Sequence, residues 1–335
     1  MNDTKIDNKV DNKADNKSDN RTDIKVVLPY DRTCPVLYDN DEALDVYTDE
    51  LLMAYASVGE LNIKGFITST SVKPYNRYVS DSDFCGMVCG RLKGMEAAIK
   101  SGFVNVPEHY LGTRTHLKRP VSEKIEDTVP LDSEGSRRII EIAREATPEK
   151  PLVIVMGGPL TAAADAYLLD NSIADRVVVA WLGGTLESMG DYNGWADEWA
   201  AYIVLEKLRM VQFPFYQGRP IVNKINLWEL PDTQVRHLMI NKFHKWAKIP
   251  WDADDDGQPV ISILRDDYVT KLERVGFAGW KESDGHTVAL LEKNPNGRAL
   301  LVVESSEEVA TQEWWRAMKN PLLWEKFNRF TDNCR

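Results

Sequence analysis

The chain has 335 residues, a formal net charge of −11, and is 43% hydrophobic and 28% charged. That length supports one large α/β domain or two smaller ones, with the composition of a water-soluble globular protein. The acidic balance and the lack of a basic patch interleaved with aromatics exclude nucleic acid as a partner. No apolar run approaches the roughly 20 residues that span a bilayer, so no membrane partner is expected. There is no tripartite secretory signal, and the cytoplasm is the expected location.

Residues 1–24 repeat a short unit, Asp7-Asn8-Lys9, Asp11-Asn12-Lys13, Asp15-Asn16-Lys17 and Asp19-Asn20-Arg21. With almost nothing apolar to bury, this stretch is expected to be a disordered tail ahead of one domain, 25–335. Thereafter strands and helices alternate. The pattern predicts a strand at Val36–Tyr38, a helix at Glu50–Val58 and a strand at Ile63–Ile67. A helix carrying Met87, Leu92, Met95 and Ala98 follows, then a helix at Ser136–Ala146. Leu152–Met156 and Val177–Trp181 read as buried strands, each preceding a helix, at Thr161–Leu169 and Trp199–Leu208. From 210 onward the pattern gives strands, loops and a Trp-rich terminal helix with Trp314, Trp315 and Trp324. The alternation predicts an α/β fold, a mostly parallel doubly wound sheet flanked by helices. Cys85 and Cys89 would share a helix face, and without further soft ligands they read as small buried hydrophobes.

The chemistry gathers at predicted strand ends. Asp39, Asp41, Glu42, Asp45, Asp49 and Glu50 crowd behind the first strand, where open α/β sheets bind ligands. Such a cluster repels itself unless a cation or a polyhydroxylated ligand sits within it; the plainer alternative is a solvated loop capping a helix. Gly157-Gly158-Pro159 follows the strand at Leu152–Met156, and glycines there let backbone and carbonyls approach a bound group. Asp191 and Asn193, two apart after another strand, are able to aim at one hydroxylated molecule.

Asp39-Asn40-Asp41, then Asp49-Glu50, then Asn62 to Ser69, resembles the N-terminal signature of the inosine–uridine-preferring nucleoside hydrolase family. Gly158-Pro159-Leu160-Thr161, Ile173 to Val179, Gly183-Gly184 and Tyr192 to Ala201 resemble later blocks of that family, in its order. The resemblance spans about residues 35–215 and weakens toward 270. It implies calcium-dependent hydrolysis of the N-glycosidic bond of a ribonucleoside or related ribosyl compound, in an enzyme that is usually oligomeric. On it, Asp41 is both catalytic base and calcium ligand; Asp39, Glu50, the Gly157 carbonyl and Asp256 complete the metal shell; Asp49, Asp191 and Asn193 hold ribose. The chain departs from the pattern: the acidic loop is longer, Asp45 offers a rival register for the base, Glu50 stands for an Asp, and the late His-Asp pair is missing. Those departures keep open a second reading, a catalytically weakened relative that only binds a sugar or nucleoside. Asp-x-Asp after a first strand is also similar to haloacid dehalogenase phosphatases, but Glu42-Ala43-Leu44 fits that motif poorly. None of the five histidines falls in a matching motif, and each reads as surface or packed.

Overall fold

The computed structural model describes residues 26–41, 47–70, 81–215, 217–246, 251–283 and 285–327. The repeat tail and Asp45 lie outside the described residues. Among the described residues, eleven strands run in chain order: β1 Pro35–Asn40, β2 Asn62–Thr68, β3 His109–Leu111, β4 Leu152–Met156, β5 Val177–Leu182, β6 Arg209–Phe213, β7 Ile221–Asn223, β8 Trp251–Ala253, β9 Val269–Ser283, β10 His286–Lys293 and β11 Ala299–Ser305. The helices are α1 Thr48–Val58, α2 Asp81–Lys100, α3 Glu134–Glu145, α4 Thr161–Leu169, α5 Tyr192–Ala196, α6 Glu198–Lys207, α7 Lys224–Trp228, α8 Gln234–Trp246, α9 Gly257–Leu264 and α10 Glu307–Met318.

Nine strands form one sheet in the order β10-β9-β11-β6-β5-β4-β1-β2-β3. It is parallel from β11 through β3, and antiparallel only where β9 and β10 are added at one edge. Each central strand is buried on both faces, because alternate side chains enter two different cores. Val36, Tyr38, Val153, Val155, Val178 and Ala180 pack on one side with residues of α1, α8, α9 and α10. Leu37, Ile154, Met156, Val179 and Trp181 pack on the other with α3, α4 and α6. This is the doubly wound arrangement expected from the alternation of elements.

The topology fixes where a ligand can enter. From β1 the chain proceeds outward to β2 and β3; from β4 it proceeds the opposite way to β5 and β6. The order therefore reverses between the neighbours β1 and β4, opening a crevice at their carboxyl ends. Asp39 and Asn40 end β1, and Gly157 follows β4, its N–H donating to the Asp39 carbonyl at 3.0 Å.

The C-terminal part differs in detail from the sequence reading. Helices α7, α8 and α9 occupy a stretch expected to hold only strands and loops, and Trp324 sits in a short 3₁₀ turn beyond α10. Cys85 and Cys89 are exposed on α2, not buried. Their shared face is set by spacing, but which face turns inward is decided by Phe84, Arg91 and Ala98. The loop before α5 is tied to the edge of the sheet: Met189 N–H donates to the Ala289 carbonyl at 2.9 Å, and Leu291 N–H to the Glu187 carbonyl at 2.8 Å. Among the described residues, no helix is long and apolar enough to cross a membrane.

Candidate functional site

Three strand ends and two helix starts meet at the crevice. Asp39, at the end of β1, accepts a hydrogen bond from Ser69 Oγ at 2.8 Å, while its Oδ1 is buried with no hydrogen-bond partner among the described residues. Burial pushes its carboxyl up to about 7, against the pull of the Ser69 hydrogen bond and the Arg91 charge. Asn40 directs its amide nitrogen to the Tyr38 hydroxyl and to Asp256 Oδ2, both at 2.7 Å. Asp256, just ahead of α9, is thereby fixed from 216 residues away.

The two glycines after β4 make these approaches possible. A Cβ on Gly157 would collide with the Asp256 carboxylate, and one on Gly158 would stand 3.0 Å from Cγ and backbone N of Asp41. The Gly158 carbonyl accepts from Trp181 Nε1 at 3.0 Å, which holds the turn against β5. Asn193 spends its amide nitrogen on the carbonyls of Gly157 and Leu182, at 2.8 and 2.9 Å, so its oxygen is what it can offer a ligand. Asp191 caps α5, accepting from Gly194 N–H at 2.8 Å; its Oδ2 is buried with no hydrogen-bond partner among the described residues. Burial raises the Asp191 carboxyl to about 6. Beside it lies a cavity of about 600 Å³ whose wall includes Tyr192, Trp195 and Phe215. A polar rim with an aromatic wall is the form of a small-molecule site.

Asp49 and Glu50, in the first turn of α1, are each paired with a buried cation. Both are buried, at 2% and 0% exposure. Asp49 accepts from Arg91 Nε at 3.0 Å and from Nη2 at 3.2 Å. Glu50 accepts from Lys242 Nζ with both oxygens, at 2.9 Å each. Its carboxyl is nevertheless pushed up to about 7, because burial outweighs the Lys242 charge. Asp254 completes the floor, accepting from Thr48 Oγ1 and Tyr47 N–H with one oxygen and from Trp314 Nε1 with the other.

The structure thus brings Asp39, Asp41, Gly157, Asn193 and Asp256 together at the crevice, sets Asp191 at the start of α5 on the wall of the neighbouring cavity, and pairs Asp49 with Arg91 and Glu50 with Lys242. Arg91, Lys242 and Asp254 carry no local signal in the sequence, and Ser69 stands in a motif block without any sign that it holds Asp39. Asn40 was quoted in the motif, but not for holding Asp256. The histidines follow expectation where described: His109 bonds Thr68 Oγ1, His237 bonds Asp232, and His286 bonds Glu198 Oε1 at 2.6 Å while stacking on Trp195.

A calcium ion needs six to eight oxygens. Of the implied ligands, Glu50 is engaged by Lys242, Asp256 Oδ2 by Asn40 and the Gly157 carbonyl by Asn193. No group of three or more His, Cys, Asp or Glu among the described residues is arranged to hold a metal. With both oxygens of Glu50 held by Lys242, the implied calcium shell lacks that ligand and does not close as it stands.

No protein-family model matches the chain, and no curated protein sequence matches it. Solved structures do. A plant nucleoside hydrolase superposes with a TM-score of 0.63 at 14% identity, over 86% of this chain and 99% of that one. A purine-preferring ribonucleoside hydrolase from Gardnerella vaginalis gives 0.63 at 14% identity, over 87% and 99%. The type III effector protein XopQ, complexed with adenosine diphosphate ribose, gives 0.52 at 12% identity, over 89% and 96%. With its parallel sheet, its edge hairpin and its crevice between β1 and β4, the chain has the nucleoside hydrolase fold.

Proposed function

We propose that the chain hydrolyses the N-glycosidic bond of a ribonucleoside or related ribosyl compound in the crevice between the ends of β1 and β4. The observation that carries this reading is the meeting of Asp39, Asp41, Asp256 and Asn193 around Gly157-Gly158, at the switch point of a fold shared with nucleoside hydrolases. The sugar lies over this turn, its hydroxyls toward Asp191 and Asn193 and its aglycone toward the aromatic wall. The C1′–N bond breaks with its electron pair passing to the aglycone, which takes up a proton as it departs. Positive charge develops on the ring, and the surrounding carboxylates stabilise it. A water molecule bonds to C1′, and its proton passes to the Asp41 carboxylate. Because the implied calcium shell does not close as it stands, activation of this water is assigned to Asp41 alone. Asp49 and Glu50 hold the floor through Arg91 and Lys242.

One observation favours the second reading, a sugar or nucleoside binder without turnover. Both acids of the Asp49–Glu50 pair are neutralised internally, which leaves fewer carboxylates to stabilise the sugar cation. A reducing-sugar assay over a panel of ribonucleosides and ribosyl compounds, run with and without chelator, separates the two. Release of ribose from some member supports hydrolysis; saturable binding without release supports the binder.

A further inference from the structure

Lys242 is buried, at 5% exposure, and reaches Glu50 from a helix 192 residues further along the chain. A buried ammonium is costly unless paired, and here the pairing is symmetrical, 2.9 Å to each carboxylate oxygen. Besides Lys242, Glu50 feels the negative charge of its neighbour Asp49. It is flanked by Gly94 of α2, where a Cβ would lie 3.9 Å from Oε1 and 3.7 Å from the Leu238 side chain. Asp254 feels the same lysine charge. A hard cation gripping Glu50 through both oxygens would have to stand where the ammonium stands, and like charges would then repel within a dry pocket. Asp49 is neutralised in the same manner by Arg91, whose guanidinium also donates to the Ile67 carbonyl and to Thr68 Oγ1.

Resting on the ribosyl reading of this crevice, we propose that the Lys242 ammonium, paired with Glu50 beneath it, takes the place of a divalent metal, and that ligand binding here is independent of calcium. The chain carries its positive charge covalently, so affinity for the sugar does not vary with metal supply.

The test uses the full chain dialysed against chelator, titrated with calcium chloride by calorimetry and melted with and without calcium. The wild type is expected to show no saturable heat up to about 1 mM calcium and no change in melting temperature. Lys242→Ala opens the slot beside Glu50, so it should melt lower than the wild type. Calcium should then raise its melting temperature and bind at one ion per chain. Lys242→Ala with Glu50→Gln should lose that response. Saturable binding of one calcium per wild-type chain at or below about 1 mM overturns the proposal, as does a folded Lys242→Ala variant indifferent to calcium. If Lys242→Ala does not fold, the wild-type titration decides alone. A wild type that binds calcium and also cleaves a nucleoside overturns this inference and leaves the proposed function standing. One that ignores calcium and cleaves nothing, yet binds ribose, upholds the inference and makes the site a binding site.

Discussion

Gly158 lies against Asp41 so closely that a Cβ on it would stand 3.0 Å from the Asp41 carboxyl carbon and 3.0 Å from its backbone nitrogen. One of those neighbours is backbone, so the ends of β1 and β4 would have to part to admit a methyl group. Gly158→Ala should cost about 1–3 kcal/mol, the range for overpacking a close-fitted interior. It should also lower turnover, because Asp41 is displaced. Urea denaturation beside the ribose-release assay checks both; wild-type values in each would show that the approach is not needed.

On the proposed reading, Asp41 serves the chemistry and Asn193 the sugar. Asp41→Asn keeps the shape and loses the basicity, so turnover should fall by about 10²–10⁴, the usual contribution of a general base. Asn193→Ala removes the proposed sugar contact and also strips the Gly157 and Leu182 carbonyls of their donor. It should raise KM and destabilise the fold by about 1–3 kcal/mol, the cost of buried acceptors left unsatisfied. Steady-state kinetics on a cleaved nucleoside distinguishes the two. Equal turnover in wild type and Asp41→Asn would remove Asp41 as the base.

The Arg91–Asp49 pair is buried on both sides, at 0% and 3% side-chain exposure. Arg91→Met leaves the Asp49 carboxylate uncompensated and should cost about 3–5 kcal/mol. Adding Asp49→Asn should return much of that loss. A double-mutant cycle by chemical denaturation measures the coupling, and additive losses would show that the two side chains act independently.

Asp191 gives stability a pH dependence of definite sign. Its folded pKa, about 6, lies above the ordinary 3.8, so between these values the folded chain holds a proton that the unfolded chain has released. The contribution of Asp191 to stability therefore falls as pH rises from about 4 to about 6. Asp191→Asn should flatten that part of the curve while keeping the Gly194 cap through its amide oxygen. Melting temperatures of both proteins across the interval check this; parallel curves would place the Asp191 carboxyl in water.

The central strands were legible because burial on both faces writes continuous apolar runs such as Leu152–Met156 and Val177–Leu182. The acids at the end of β1 were legible for the same reason, since the run marks where the strand stops. What the sequence hid was pairing over distance. Arg91 is 42 residues from Asp49 and Lys242 is 192 from Glu50, and neither sits in a local pattern distinct from a solvated helix charge. The resemblance assigns Asp49 to ligand and Glu50 to metal; the fold pairs each with a buried cation that no local pattern announces. Helix α8 was missed because its polar residues, Lys242 among them, obscure the apolar spacing of Val235 and Met239.

The segment leading into α5 bears on the kinetics of capture. Residues 187–191 are laced to β10 by Met189 and Leu291, so Asp191 stands on the rim of a sheet instead of on a hinged flap. The conformational freedom of that rim is lost when the chain folds, before any ligand arrives. On the sugar side, then, association should follow a single step at a rate set by diffusion and orientation, without a slow closure phase. On the proposed reading, selectivity there should follow the fixed outline of the rim, favouring ligands whose hydroxyls already match it.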